Sequence, residues 1–194
     1  MSPCPSAFRI LLLLLALGGS VLADTNAYKI LVFSKTAGYR HGSIPNGIAA
    51  IQSLGATNNF AVDATEDSAA FTDGNLQQYK AVVFLSTTGE VLNTNQQASF
   101  QRFIQGGNGY VGLHAASDGG YSWPWYGELV GAYFNGHPGI QEATIKVADR
   151  VHPSSSVLPQ RWVRTDEWYN FTVNPRGAVH VLATLDENSY EGGD

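Results

Sequence analysis

The chain has 194 residues, of which 44% are hydrophobic and 14% are charged. This length suits one domain of ordinary size, and the apolar share can build a sizeable core, which argues against a disordered chain. The net charge of −5 and the absence of any Lys/Arg run argue against nucleic acid and anionic membranes as partners, because both attract basic surfaces.

The first 23 residues have the order of a secretory signal. Arg9 precedes an apolar run at residues 10–17, and small residues lead to Ala23, just before the polar Asp24. The run is short for a membrane span, so an uncleaved anchor is the less favoured alternative. We therefore predict a signal peptide at 1–23, a secreted or extracytoplasmic protein, and no stable membrane span after cleavage.

Beyond the predicted signal, the sequence has no cysteine and one sequence for N-linked glycosylation. Cys4, the only cysteine, lies inside the signal, so the mature protein would have no disulfide, no thiolate metal ligand and no cysteine nucleophile. Asn170 begins an N-x-T sequence and is a predicted glycosylation site if the host glycosylates secreted proteins.

Apolar runs alternate with helical patterns in the first half of the chain. Strands are predicted at residues 28–33, 60–64, 81–85 and 110–113. Their near-continuous apolar character is typical of parallel strands buried on both faces. One helix is predicted from its cap Ser43 to Gly55, which would end it, and another over 95–105 with Thr94 as the cap. The alternation predicts an α/β fold with a mostly parallel sheet and right-handed crossovers.

The second half is less regular. An aromatic cluster at 121–126 precedes a predicted helix at 127–130 and a predicted strand at 141–147. A charged and aromatic segment follows at 162–171, and an apolar strand is predicted at 178–185.

Histidines beside turns are the first candidates for chemistry. His41, His114 and His137 each lie in a loop predicted at or near one end of the sheet, where open α/β folds bind ligands. Near neutral pH an imidazole can act as a base, an acid or a metal ligand. We interpret His152 as a loop residue, and His180, inside a predicted strand, as structural.

Asp166 and Glu167 form the strongest acidic element, beside Trp168 and Tyr169. Two adjacent carboxylates are costly to bury unless they are paired or bound to a ligand. In a surface strand only one of them would point inward. In a binding site, a carboxylate would lie in a pocket lined by aromatic rings, which bind the apolar faces of sugars. Both interpretations are open at this stage.

A metal site formed by His114, His137 and either Asp166 or Glu167 is a further alternative. The sequence has no local ligand spacing such as HxxxH to indicate it. The sequence gives equally little support for a catalytic dyad of Ser117 and His114, because side chains three residues apart on a turn need not contact each other.

Six short blocks occur in order along the chain. They are KTAGYRH at 35–41, STTG at 86–89, VGLHAA at 111–116, WPWY at 123–126, GHP at 136–138 and DEWY at 166–169. Together they closely resemble the ThuA-like (trehalose utilisation) family, and the resemblance runs from about Tyr28 to the end. It implies a flavodoxin-like three-layer α/β/α domain at 24–194, similar in fold to class I glutamine amidotransferases.

The resemblance also bears on chemistry. In the amidotransferase fold the turn after the fourth strand carries a nucleophilic cysteine, and this sequence has His114 there. The resemblance therefore implies the scaffold without glutaminase chemistry. The family is associated with the metabolism of disaccharides, trehalose or oxidised keto sugars. Its members usually continue through another Gly-rich segment, strand and helix, so a C-terminally incomplete domain is expected.

We predict a secreted ThuA-like domain that acts on a small carbohydrate. The predicted catalytic residues are His114, His137, Asp166 and Glu167. The predicted substrate-binding residues are His41, Trp123, Trp125, Trp168 and Tyr169. The alternatives are a non-catalytic carbohydrate-binding or interaction module and a metal-dependent hydrolase. Cofactor, metal and oligomeric state are left open by the sequence.

Overall fold

The computed structural model describes residues 27–193, and the predicted signal peptide at 1–23 lies outside them. Four parallel strands form the first sheet in the order β2-β1-β3-β4. They are β1 (Tyr28–Phe33), β2 (Phe60–Thr65), β3 (Ala81–Leu85) and β4 (Gly109–Leu113). The helices between and after them are α1 (Ile44–Asn58), α2 (Asp73–Leu76), α3 (Thr94–Gln105) and α4 (Pro124–Val130).

A second, antiparallel sheet follows in the order β6-β5-β7. Its strands are β5 (Gln141–Val147), β6 (Arg161–Asp166) and β7 (Ala183–Leu185). The sequence predicted strands in this region but not that they form a separate sheet.

Alternating side chains of the parallel strands pack against helices on both faces of the sheet. On one face Ile30, Val32, Val83 and Leu85 contact α1. On the other face the aromatic core includes Phe33, Phe71, Phe84, Phe100 and Tyr126. The period of two along each strand and the order β2-β1-β3-β4 match a flavodoxin-like layered fold. The predicted α/β class with a mostly parallel sheet is confirmed.

The predicted end of α1 at Gly55 is wrong. The helix continues to Asn58, and Asn59 ends it in the left-handed conformation, with φ of 56° and its N–H donating to the Gly55 carbonyl. Gly55 serves packing instead, because a Cβ there would lie 2.6 Å from the carbonyl oxygen of Phe60. Ser43 precedes the helix as predicted, but its side chain makes no capping hydrogen bond.

The predicted cap of α3 is one residue too late. Asn93 accepts a hydrogen bond from the Gln96 backbone, and the Gln96 side chain accepts one from the Asn93 backbone, forming a capping box. Thr94 is therefore the first helical residue.

His180 is not inside a strand, so the location predicted for it is wrong. β7 begins only at Ala183, and His180 is exposed before it, with Nε2 2.7 Å from Oδ2 of Asp149. Residues 178–180 are exposed and lie outside the strand, so their apolar character does not reflect burial in a sheet.

No helix within residues 27–193 combines the length and the apolar character needed to cross a bilayer.

Candidate functional site

The loops that follow β1, β3 and β4 are tied together at the carboxyl edge of the parallel sheet. The buried Thr88 hydroxyl donates to the Tyr39 carbonyl at 2.8 Å and accepts from the Gly38 N–H at 3.2 Å. The Gly89 N–H donates to the Asp118 carbonyl at 2.7 Å. Since ligands of open α/β sheets bind at this edge, the cross-linked loops form a rigid platform for a site.

Two imidazoles meet on this platform. His41 comes from the loop after β1 and His114 directly follows β4, and their ring centroids are 4.5 Å apart. His114 has φ of 53°, in the left-handed region. Such a conformation costs a non-glycine residue about 1–2 kcal/mol, and strain of this kind is concentrated at functional sites.

A carboxylate from the second sheet completes the group. Glu167, just after β6, places Oε2 3.3 Å from Nε2 of His114 and 3.7 Å from Nε2 of His41. We call His41, His114 and Glu167 the imidazole–carboxylate cluster. Asp166 is exposed and accepts a hydrogen bond from the Glu167 N–H through Oδ1. Of the two predicted carboxylates, Glu167 is therefore the one that faces the imidazoles.

Tyr169 borders the cluster. Its hydroxyl lies 3.1 Å from Nε2 of His114, and its ring contacts the imidazole of His137 at 5.7 Å and the ring of Phe134 at 4.3 Å between centroids. His137 itself is exposed, with Nδ1 2.8 Å from the Pro138 carbonyl oxygen. The structure thus places His137 behind Tyr169 rather than among the residues of the cluster.

Burial shapes the protonation of the site. It lowers the pKa of His114, as does the neighbouring His41, while Glu167 and Asp166 act in the opposite direction. Burial also raises the pKa of the Tyr169 phenol, and the charge of Glu167 adds to the rise. The site therefore favours a neutral imidazole that can accept a proton or bind a cation, next to a phenol that can donate one.

Comparison with known proteins identifies the family. Residues 29–194 match the sequence model described as trehalose utilisation, ThuA. The chain belongs to the ThuA family. No curated protein matches it.

Two solved structures share the ThuA fold. A ThuA-like protein from Bacteroides uniformis is 24% identical with a TM-score of 0.76, over 89% of this chain and 73% of the other. A ThuA-like protein from Parabacteroides merdae is 21% identical with a TM-score of 0.68, over 84% of this chain and 71% of the other.

The cluster draws on three of the ThuA-like blocks. KTAGYRH contributes His41, VGLHAA contributes His114, and DEWY contributes Glu167 and Tyr169, while STTG contributes the Thr88 cross-link. Blocks far apart in this ThuA sequence are therefore adjacent in space.

The three tryptophans predicted to bind substrate lie in packed positions. Trp123, which precedes α4, and Trp125 in α4 contact the core ring of Phe100. The cavity beside Trp123 has a volume of about 10 Å³, enough for at most one water molecule. Trp168 is buried, and its indole N–H donates to the Gln141 carbonyl. Their contact with a sugar stays a prediction.

Asn170, the predicted glycosylation site, is half-buried and donates through its side-chain amide to the Gly192 carbonyl at 3.3 Å. Its glycosylation also stays a prediction.

The metal-ligand set suggested by the sequence differs from the one that the ThuA fold assembles. The ligand atoms of His41, His114 and Glu167 all lie within 4.8 Å of one another. His41 occupies the place in which the sequence suggested His137. The sequence indicated a site role for His41 only through its position in a loop after a buried strand. The contact between His41 and His114 depends on the hydrogen bonds that join these loops.

Proposed function

We propose that this ThuA protein acts on a small carbohydrate, trehalose or a keto-disaccharide, with His114 as the general base. The observation that carries the proposal is the position of His114 Nε2, within 3.3 Å of Glu167 and 3.1 Å of the Tyr169 hydroxyl. A base, a carboxylate and a proton donor thus converge at the edge where α/β folds bind ligands.

Each residue has a chemical role in this proposal. A neutral His114 takes a proton from a sugar hydroxyl or from the carbon next to a keto group, and Glu167 stabilises the imidazolium that forms. Tyr169 donates a hydrogen bond to a sugar oxygen. His137 and Asp166 assist indirectly: His137 contacts Tyr169, and Asp166 accepts a hydrogen bond from the Glu167 N–H.

A groove that Tyr169 borders has room for a ligand of disaccharide size, and His41, His114 and Glu167 lie outside its lining. Its volume is about 620 Å³, within the range of roughly 300–1,000 Å³ that small-molecule sites occupy. Tyr169, Phe171 and Tyr190 contribute aromatic surface to its lining, and aromatic surface suits the apolar faces of sugar rings.

The test compares His114→Ala with His180→Ala, a control that removes an exposed imidazole outside the cluster. With trehalose and keto-trehalose as substrates, His114→Ala should lower kcat/KM about 10²–10⁴-fold, the usual contribution of a general base. The control should retain activity. Equal turnover by His114→Ala and the wild type would remove His114 from the mechanism.

A carbohydrate-binding module without catalysis is the second candidate, favoured by the stacked rings of His137 and Tyr169. Calorimetry with the same sugars, run beside a product assay, separates the two functions. Binding without product supports the module, and product supports the enzyme.

The proposal includes action outside the cytoplasm, supported by the secretory pattern at residues 1–23. Cell fractionation of the expressed protein and N-terminal sequencing of the mature form test it; cytoplasmic protein with an intact N-terminus would contradict it.

A further inference from the structure

We propose that the imidazole–carboxylate cluster of His41, His114 and Glu167 binds one divalent transition-metal ion, with zinc the preferred metal. The inference concerns residues of the proposed catalytic site, but it does not rest on the identity of the sugar or on turnover. A bound ion uses the Nε2 lone pair of His114, so His114 is a ligand in the metal-bound protein, and its proposed role as the base belongs to the protein without the ion.

The distances within the cluster fit a shared cation. Nε2 of His114 and Nε2 of His41 lie 3.3 Å and 3.7 Å from the same oxygen, Oε2 of Glu167. Zinc binds nitrogen and carboxylate oxygen at about 2.0–2.2 Å, so two ligands of a tetrahedral ion lie about 3.3–3.6 Å apart. The third pair of ligand atoms, one on each imidazole, lies within 4.8 Å. Placing an ion between the three atoms therefore requires a combined side-chain movement of about 1 Å.

Charge balance favours a cation at the same point. Among residues 27–193, the ion-pair partners of Glu167 are the two imidazoles, and neither a lysine nor an arginine contacts it. Two protonated imidazoles with centroids 4.5 Å apart would repel each other. A divalent cation neutralises Glu167 and uses the lone pairs of both Nε2 atoms without that repulsion.

The backbone segments that carry the two imidazoles are held in place by their surroundings. The neighbour of His41, Arg40, makes a bidentate pair with Glu66 at 2.7 Å and 3.1 Å, and Thr88 clamps the same loop. His114 is oriented by its left-handed backbone. Ligands that are already positioned lose little entropy when an ion binds, which raises metal affinity.

The ligand types select the class of metal. Two imidazoles and one carboxylate suit zinc and its first-row neighbours, whereas Mg²⁺ and Ca²⁺ prefer oxygen ligands alone. Two histidines and a glutamate also form known catalytic zinc sites, where the fourth position is left to water or substrate. The side chain of His114 is 30% exposed, which leaves the cluster open on one side, next to the Tyr169 hydroxyl.

Zinc affinity of the chelator-treated, dialysed protein tests the proposal, measured by competition with a chromophoric chelator. The wild type should bind one zinc ion per chain. His41→Ala, His114→Ala and Glu167→Gln should each weaken binding at least about 100-fold, since even residues that only orient ligands contribute about 10–100-fold. Cobalt substitution should give the visible absorption of a tetrahedral site in the wild type and not in these three variants.

Two controls have matched chemistry. His180→Ala removes a histidine outside the site, and His137→Ala removes the ligand that the sequence alone suggested; both should bind zinc like the wild type. Zinc should also raise the Tm of these controls but not of His41→Ala. Circular dichroism establishes that each variant is folded, and the three ligand variants provide independent tests.

The outcomes separate this inference from the proposed function. Zinc affinity in the wild type no greater than in His41→Ala would overturn the metal site, and loss of binding in His137→Ala alone would overturn the ligand set. Stoichiometric zinc without sugar turnover would support the metal site and remove the proposed catalysis. Turnover that needs His114 in a protein that binds no zinc would overturn the metal site and leave His114 as the base.

Discussion

His114 combines a strained backbone conformation with a side chain at the centre of the candidate site. Its φ of 53° places the imidazole above the carboxyl end of β4 and next to Glu167. Only glycine adopts this backbone region without cost. A histidine there is therefore disfavoured locally, and the contacts of its side chain must offset the strain.

We predict that His114→Gly is more stable than His114→Ala by about 1 kcal/mol, because both remove the imidazole and only alanine keeps the strain of a Cβ at positive φ. Urea unfolding of the two variants measures the difference. Equal stability would show that the backbone at His114 relaxes once the imidazole is gone.

At the scale of elements, the packing of α1 on β2 depends on a glycine inside the helix. Gly55 is buried, and a Cβ there would meet the Phe60 carbonyl oxygen at 2.6 Å and a Val62 methyl group at 2.9 Å. Alanine is the better helix former by about 1 kcal/mol, but backbone of the neighbouring strand occupies the space that it needs. Packing therefore overrides helix propensity at this position.

We predict that Gly55→Ala lowers the free energy of unfolding by about 1–3 kcal/mol through overpacking. The control is Gly74→Ala in α2, where a Cβ would have no neighbour within 4 Å. This control should leave stability unchanged or raise it by up to about 1 kcal/mol. Denaturant unfolding measures both variants; a stabilised Gly55→Ala would contradict the packing argument.

For the whole molecule, the candidate site requires both sheets. His41 and His114 belong to loops of the parallel sheet, whereas Glu167 and Tyr169 follow β6 of the antiparallel sheet. An isolated bridge between Phe134 and Phe171 joins chain segments beside this junction. Changes that loosen the second sheet should therefore affect the site even when they lie far from it.

Away from the site, Asp149, after β5, and His180, before β7, form a pair that affects stability. The hydrogen bond from His180, followed by those from the backbone N–H groups of Val151 and His152, lowers the pKa of Asp149 from 3.8 to about 2. A lowered pKa in the folded state means that the unfolded state binds the proton more tightly. The contact therefore stabilises the fold above about pH 4 and loses this effect as the pH falls through 2.

We predict that Asp149→Asn lowers the Tm at pH 6 and that its difference from the wild type shrinks between pH 4 and pH 2. Thermal unfolding across this range is the measurement. A difference that stays constant down to pH 2 would show that the carboxylate charge is not responsible.

Much of the fold could be predicted from local patterns. β1, β3 and β5 have the predicted bounds, because long apolar or alternating runs report directly on burial. The end of α1 and the cap of α3 were missed, because Gly55 is used for packing and Asn93 had a neighbouring Thr94 that could equally well cap. These choices depend on contacts that no local window contains.

The family, the parallel strands and the position of His114 at the end of β4 could be predicted from the sequence, since each depends on short stretches of neighbouring residues. Two features could not be predicted in this way: Glu167 rather than Asp166 faces the imidazoles, and His41 rather than His137 lies beside His114. They depend on long-range contacts, because the site lies between loops that are far apart in the chain. Which loops meet is decided by the hydrogen bonds of Thr88 and by the placement of the second sheet, not by spacing along the chain.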